Sequence, residues 1–263
     1  MTQNWILPSW TLWKRELTRF FRQRNRVIGA LGSPLVFWIL IGGGLSSSFH
    51  PPSMPQEISA IEYLFPGTMT LILLFTSIFS TISIIEDRRE GFLQSVLVSP
   101  IAQSSIVAGK VFGGATIALI QGILFLFLAP FGGIKLSLIS MSLSIGVIFL
   151  IALALTGLGF VLAWKMDSTQ GFHAVMNLFL IPMWLLSGSF FPSEGAPIWL
   201  KWIMQINPLT YGVAALRKTL YWSQPSLMLN QPSILFPVGI TLLFALTFFV
   251  LSVVLVRKET RLR

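Results

Sequence analysis

Five consecutive charged residues stand between an apolar segment and a short, half-apolar one. The stretch reads EDRREGFLQSVLVSP, residues 86–100, and follows residues 63–85, which carry no charge. Acids are favoured in the first turn of a helix, so Glu86, Asp87 and Glu90 predict that a short helix begins here. The closing proline ends that helix, because proline cannot continue it.

The second half of this stretch carries an apolar stripe with i, i+1, i+4, i+5 spacing. Nothing in the sequence is placed to cover such a stripe, so the helix would either rest on the bilayer or fill a groove on another protein. The residues by themselves leave these two interpretations open. The candidate partner-contacting residues are the stripe and the charged residues before it: Glu86, Asp87, Arg88, Arg89, Phe92, Leu93, Val96 and Leu97.

Other chemistry is poorly supported. The nine Asp and Glu residues all lie outside or at the ends of the apolar runs, whereas ion-coupled carriers and intramembrane enzymes need ionisable groups at membrane depth. The segment LSGSF does not match the G-x-S-x-G motif of serine hydrolases, and Gly109-Lys110 followed by Val111 does not match a Walker A motif. Without cysteine there is no thiol chemistry. We therefore predict no catalytic, cofactor-binding or metal-binding residue in the chain.

The elements that must position the charged stretch are apolar helices. Hydrophobic residues make up 54% of the 263 residues and charged residues 10%, against roughly 25% charged in a soluble domain. A spanning helix needs about 20 mainly apolar residues. We predict an all-α polytopic membrane protein with a single domain, residues 1–263, in which six charge-free runs span the membrane: 27–44, 63–85, 111–134, 136–164, 171–191 and 234–256.

The net charge of +9 is distributed unevenly between the two ends of these spans. Fourteen of the 18 Lys and Arg residues fall on one side, including Lys110 in a loop between the second and third spans. Because cytoplasmic loops carry the excess of Lys and Arg, both termini are predicted to be cytoplasmic. The basic charge then reports topology, with attraction to anionic lipid as a second effect, and does not indicate nucleic-acid binding.

Residues 5–26 predict a helix that lies along the cytoplasmic interface. Apolar residues recur there at three- and four-residue intervals while basic residues fall between them, as in helices that lie on a membrane. A lipid anchor without a further role is the alternative, and the sequence does not separate the two. The residues of interest are Trp10, Trp13, Arg15, Glu16, Arg19 and Phe20.

Residues 192–222 predict two short helices at the outer face. Three prolines divide the segment into pieces too short to span, and Asn207-Pro208 provides an N-cap followed by a first helical residue. Arg217 and Lys218 fall in the last turn, where cations are favoured. A re-entrant hairpin and a loop resting on the membrane both fit. Candidate residues on this exit side are Phe191, Trp199, Asn207, Pro208 and Tyr211.

The sequence resembles the permeases of ATP-binding-cassette type-2 exporters, in the drug-resistance and lipid or polysaccharide export branch. The resemblance covers nearly the whole chain, and the last of five ordered segments is the most specific. These segments are WKRELTRFFRQRNRVIGALGSPLVFW, YLFPG, EDRREGFLQSVLVSPIAQSSIVAGKVFGGA, QGFHAVMN and LSGSFFPSEGAPIWLKWIMQINPLTYGVAALR.

This resemblance implies partners that composition does not show. Such permeases form a homodimer or pseudodimer, and each docks on a separate nucleotide-binding ATPase subunit that carries ATP and Mg²⁺. The coupling helix maps to residues 86–100, the N-terminal helix also meets the ATPase subunit, and the hairpin closes the exit side. Many members have Gly-Thr and then Glu where this sequence has Gly91-Phe92 and Gln94. This departure bears on the inferred substrate more than on the implied mechanism.

We therefore expect the membrane subunit of an ATP-driven exporter of an amphipathic drug-like, lipid or glycan substrate, in a bacterial plasma membrane or an organelle membrane of bacterial descent. Replacing Phe92 and Leu93 with alanine should uncouple transport and leave membrane insertion intact. A membrane scaffold that recruits a soluble partner through residues 86–100 is the alternative from another class. An intramembrane lipid-modifying enzyme is disfavoured, because the spans lack an acid/base pair.

Overall fold

The part of the chain that the structure describes is mostly helical. The computed structural model describes residues 5–44, 58–190, 196–224 and 233–262, and no strand occurs in these ranges. A short 3-10 turn, Ala129–Gly132, follows the fifth helix. The helices are α1 Ile6–Arg22, α2 Arg24–Gly44, α3 Ala60–Arg89, α4 Phe92–Leu97, α5 Gln103–Leu126, α6 Leu138–Trp164, α7 Thr169–Ser189, α8 Ile198–Ile206, α9 Pro208–Leu220 and α10 Leu235–Leu262.

Within the described ranges, six helices are long and apolar enough to cross a membrane: α2, α3, α5, α6, α7 and α10. This confirms the predicted all-helical fold, with six helices that have the length and composition to span a membrane. Helices suit this setting because each one satisfies its own backbone N–H and C=O groups where lipid offers no partner.

The helix α3 lies at the centre of the bundle and packs against α2, α5 and α6. In the apolar part of α3, 89% of the residues are buried by the rest of the chain, against 17% in the apolar part of α10. Two of the buried hydroxyl groups of α3 bond within the helix, since Thr68 and Thr70 donate to carbonyl oxygens four residues earlier. With 30 residues, α3 is about 45 Å long at 1.5 Å per residue. It exceeds the hydrocarbon core of about 30 Å.

The third span differs from the prediction. The charge-free run 111–134 predicted it, but α5 covers Gln103–Leu126. The prediction places Lys110 in a loop, whereas Lys110 is a residue of α5 and its side chain is 4% exposed. After α5 the chain turns through Ala129–Gly132 to Gly133, whose left-handed φ of +93° suits glycine.

The two ends of the bundle differ in charge. We call the end where α1, the last turn of α3, α4 and residues 165–168 lie the basic end. The helix α10 runs parallel to α6, since Gly157 packs on Phe248 while Ile151 lies near Thr241. The basic residues that close α10 therefore also lie toward the basic end.

The helix α7 is irregular along its length. Two stretches, Met176–Leu180 and Leu185–Ser189, are π-helical, and Gly188 has a left-handed φ of +77°. Pro182 lies between the two stretches. Because proline removes a backbone donor and collides with the preceding turn, it accounts for the departure from regular α-helix here.

The helices α8 and α9 form a hairpin at the opposite end from α1. The Oδ1 atom of Asn207 accepts a hydrogen bond from the N–H two residues later at 3.0 Å, and Pro208 is the first residue of α9. This confirms the predicted helix start. Tyr211 donates to the backbone of α8 at 2.8 Å, whereas Trp199 is exposed. Phe191 lies outside the described residues.

Candidate functional site

The charged residues of the 86–100 stretch end one helix and do not begin the next. Residues 86–89 form the last turn of α3, Gly91 adopts a left-handed φ of +77°, and α4 is limited to Phe92–Leu97. The predicted first-turn position of the three acids is therefore wrong. Carboxylates are disfavoured at a helix C-terminus, so other parts of the chain must neutralise them.

Asp87 is fully buried and is surrounded by three cations. Arg15 donates to its carboxylate from both terminal nitrogens, at 2.9 and 2.7 Å, and Arg19 Nη1 donates at 2.6 Å. Lys110 Nζ, from α5, makes a third ion pair with it. A buried carboxylate is tolerated when it is paired and hydrogen-bonded in this way. The helices α1 and α5 thus supply the charges that the last turn of α3 needs.

Glu16 adds a second buried carboxylate. Its Oε1 accepts from Lys110 Nζ at 2.6 Å, and its Oε2 accepts from Ser83 Oγ at 2.6 Å. Lys110 also donates to Ser83 Oγ at 3.2 Å. These contacts join α1, α3 and α5, and we call the residues that make them the basic-end cluster: Arg15, Glu16, Arg19, Ser83, Asp87 and Lys110.

Arg15 also links this cluster to α4. The guanidinium carbon lies 3.8 Å from the centroid of the Phe92 ring, a cation–π geometry. Burial alone would lower the pKa of Arg15, but the hydrogen bond to Asp87 and the nearby carboxylate charges outweigh it and raise the pKa. The guanidinium therefore stays charged and holds α1, α3 and α4 together.

The surface of α4 is not the predicted one. The expectation that nothing in the chain covers its apolar stripe is wrong, because the stripe packs against the core and Arg15 of α1 lies over the Phe92 ring. Leu93 is buried, and the rest of the stripe is partly buried against the core: Phe92, Val96 and Leu97. The exposed residues of α4 and of the position after it are Gln94, Ser95 and Val98, of which Val98 is 86% exposed.

Arg88 and Arg89 fasten the end of α3 to the turn after α6. Arg88 Nη1 pairs with Asp167 Oδ1 at 3.1 Å and Arg88 Nη2 donates to the Trp164 carbonyl oxygen. Arg89 Nε donates to the Asp167 carbonyl oxygen at 2.9 Å. These contacts fix where the last turn of α3 lies, and hence where α4 lies.

The helix α1 packs closely on the first half of α5 through two glycines. A Cβ added to Gly109 would lie 2.5 Å from Leu12 Cβ, and one added to Gly113 would lie 2.9 Å from Glu16 Cβ. Small residues four apart let two helix backbones approach in this way. The approach brings Glu16 within reach of Lys110.

The other sides of α1 differ in chemistry. Phe20 is buried, and Trp13 Nε1 donates to Thr116 Oγ1 at 3.0 Å, so these two predicted interface residues face the protein. A second apolar side points away from the chain and consists of Ile6, Trp10 and Phe21. The single apolar face predicted for this helix is thus divided in two.

Sequence reasoning missed Lys110 and Ser83. A hydropathy criterion treats lysine as the boundary of a span, and it gives a lone serine no weight. A signal was nevertheless present, since Gly109 and Gly113 flank Lys110 with the spacing that favours close helix packing. Such packing predicts a partner helix near the lysine, although not which helix.

Six apolar helices with a buried ion-pair cluster at one end define a multi-pass helical membrane protein. Within that class, the chain belongs to the ABC-2 type transporter family, whose model matches residues 9–221. The match includes most of α1, all of α4 and the α8–α9 hairpin, and it confirms the resemblance carried by the sequence motifs.

Three relatives show what the chain is similar to. It is 26% identical to a protein named as the transport permease ycf38 of Cyanophora paradoxa, over 81% of this chain and 73% of the relative. It is 24% identical to Nodulation protein J of Rhizobium leguminosarum bv. viciae, over 97% and 95%. It is 27% identical to a protein named as the multidrug ABC transporter permease YbhR of Escherichia coli (strain K12), over 64% and 46%. The chain is therefore a membrane transport permease.

Proposed function

We propose that this permease is the membrane subunit of an ATP-driven exporter. A separate ATPase subunit binds ATP and Mg²⁺, and the permease moves an amphipathic drug-like, lipid or glycan substrate outward. The observation that carries the proposal is the position of α4. Gln94, Ser95 and Val98 are exposed there, and Arg15 of the basic-end cluster contacts Phe92 on the other side of the helix. A surface that is already ordered before binding suits docking, because little conformational freedom is lost.

The basic-end cluster gives this surface a route to the membrane helices. Leu93 fixes α4 to the core, and Arg15 fixes Phe92 to α1 and α3. A movement of the ATPase subunit would displace α4 together with the ends of α1 and α3, and would not bend α4 alone. ATP binding can shift the permease between two conformations only through contacts that differ between those conformations. In this proposal, the contacts between the ATPase subunit and the α4 surface are the ones that differ.

A second permease copy completes the proposed transporter, as a homodimer or a pseudodimer. In the apolar parts of α2 and α7, the chain itself buries 22% and 28% of the residues. Most of the surface of these two helices is therefore available to lipid or to another permease. Close packing drives such association in membranes. Substrate then moves between the two copies, where uncharged side chains suit an amphipathic molecule.

The proposed location is the bacterial plasma membrane, with both termini in the cytoplasm. Two of the relatives come from bacteria, and the excess of Lys and Arg at the basic end favours the cytoplasmic side. The side of α1 that points away from the rest of the chain, with Ile6, Trp10 and Phe21 exposed, then lies in the cytoplasmic interface of the membrane. The α8–α9 hairpin lies on the exit side.

The test is a pull-down of the tagged permease from its native membrane in mild detergent. Co-purifying proteins are identified, and Mg²⁺-dependent ATP hydrolysis is assayed. We expect a Walker-motif ATPase. Val98→Asp should lower its recovery by about tenfold or more, because a charge placed in the contact loses water without gaining a partner.

Phe131→Asp is the matched control. Phe131 is 83% exposed, close to the 86% of Val98, and it lies at the other end of the bundle after α5. If Val98→Asp leaves ATPase recovery unchanged, the partner does not dock on α4. A stable permease that co-purifies no ATPase would instead favour a scaffold that recruits a different soluble protein.

A further inference from the structure

The last turn of α7 is bonded to the α8–α9 hairpin by an arginine. Carbonyl groups in the last turn of a helix have no partner within that helix. The Gly188 carbonyl oxygen lies in such a turn and accepts from Arg217 Nη2 in α9 at 3.3 Å. Arg217 is 9% exposed, so its guanidinium has little water to bond instead.

A second bond joins the hairpin to α7 one turn earlier. Asn207 Nδ2 donates to the Met183 carbonyl oxygen at 2.6 Å, just before the second π-helical stretch. The same side chain caps α9 through its Oδ1 atom at 3.0 Å. Widened π turns loosen the regular backbone ladder and often occur at functional sites. Both donors of the hairpin thus meet the irregular part of α7.

The start of α3 belongs to the same assembly. The Arg217 guanidinium carbon lies 4.7 Å from the centroid of the Tyr63 ring. Trp184 Nε1 donates to the Gly67 carbonyl oxygen at 2.8 Å, and a Cβ added to Gly67 would lie 2.6 Å from the Ser189 carbonyl oxygen. The helices α3 and α7 are therefore in close contact where the hairpin meets them.

We propose that Asn207 and Arg217 are positioning residues that fasten the hairpin to the widened end of α7, so that the hairpin moves with α7 and the start of α3. We call this group the outer clamp: Tyr63, Met183, Gly188, Asn207 and Arg217. Separating the hairpin from α7 would leave a buried guanidinium and backbone oxygens without partners, which is costly. The further consequence, that the clamp sets when the exit side opens, rests on the proposed exporter function.

The experiment uses a single reporter thiol in the full-length permease. The chain has no cysteine, and Ser187 beside Gly188 is 1% exposed, so Ser187→Cys reports opening of the clamp through its rate of reaction with N-ethylmaleimide. Arg217→Met should raise that rate by about tenfold or more, since the hydrogen bond from Arg217 to the Gly188 carbonyl oxygen, which keeps the clamp closed, is lost. Lys201→Met, which removes a cation of α8 in the same hairpin, should leave the rate unchanged.

A second variant separates the clamp from helix capping. Asn207→Asp keeps the oxygen that caps α9 but loses the donor to Met183, so it should also accelerate labelling. It decides the question if the Arg217→Met protein aggregates. Unchanged labelling in the Asn207→Asp protein would overturn the proposal. The labelling measurement needs neither partner nor nucleotide, so it can overturn the outer clamp while the exporter proposal stands. If instead the exporter proposal is wrong and the clamp is right, the labelling rates will change as expected in a permease that recruits no ATPase.

Discussion

Asp87→Ala is expected to abolish accumulation of the folded permease. The substitution leaves Arg15, Arg19 and Lys110 around a buried space that no longer holds their shared carboxylate. Removing one partner of a buried ion pair costs about 3–5 kcal/mol, a large part of the total stability of a typical domain, about 5–15 kcal/mol. Folded protein in the membrane is measured by size-exclusion chromatography of a fluorescent fusion, and stability by its melting temperature in detergent.

Asp167→Ala serves as the control for this loss. Asp167 also pairs with an arginine, Arg88, at 3.1 Å, but its side chain is 89% exposed. Exposed pairs contribute about 0–1 kcal/mol, so this variant should accumulate and melt nearly as the unchanged protein does. If the Asp87 and Asp167 variants behave alike, the basic-end cluster does not stabilise the fold in the way its geometry indicates.

Gly109→Ala is expected to separate α1 from α5. The added methyl group would lie 2.5 Å from Leu12 Cβ and 2.9 Å from the Ser9 carbonyl oxygen, so one helix must move. Overpacking of this kind costs about 1–3 kcal/mol, and the displacement also weakens the pairing of Glu16 with Lys110. The measurement is the rate of trypsin cleavage after Lys14, an exposed residue of α1, which should rise together with a fall in melting temperature.

Gly29→Ala in α2 is the corresponding control. A Cβ at Gly29 meets no atom within 4 Å, and alanine is favoured over glycine in a helix by about 1 kcal/mol. This variant should therefore melt at the same or a higher temperature. Equal trypsin rates in the two variants would show that the contact between α1 and α5 is not close in solution.

The sequence was sufficient for the features that depend on local chemistry. Long charge-free runs predicted six spanning helices, because lipid imposes a minimum length and excludes exposed charge. The Asn207-Pro208 pair predicted the start of α9, because capping requires only neighbouring residues. Both kinds of prediction depend on a few consecutive positions, which the sequence displays directly.

The sequence was insufficient where distant helices meet. Lys110 looks like a loop residue until Glu16 and Asp87 are brought to it by α1 and α3. The stripe on α4 looks uncovered until Arg15 reaches Phe92. For the same reason the alanine pair at Phe92 and Leu93 tests docking less cleanly than Val98→Asp, since Leu93 contributes to the core.

The length of α3 makes it a lever arm. One end carries Ser83 and Asp87 of the basic-end cluster, and the other carries Tyr63 of the outer clamp. A rod about 45 Å long that tilts as one body by about 5° displaces one end relative to the other by about 4 Å. A small rotation imposed at α4 would thus arrive at the hairpin as a shift comparable to the width of a side chain, and no ionisable group within the membrane would be needed to carry it.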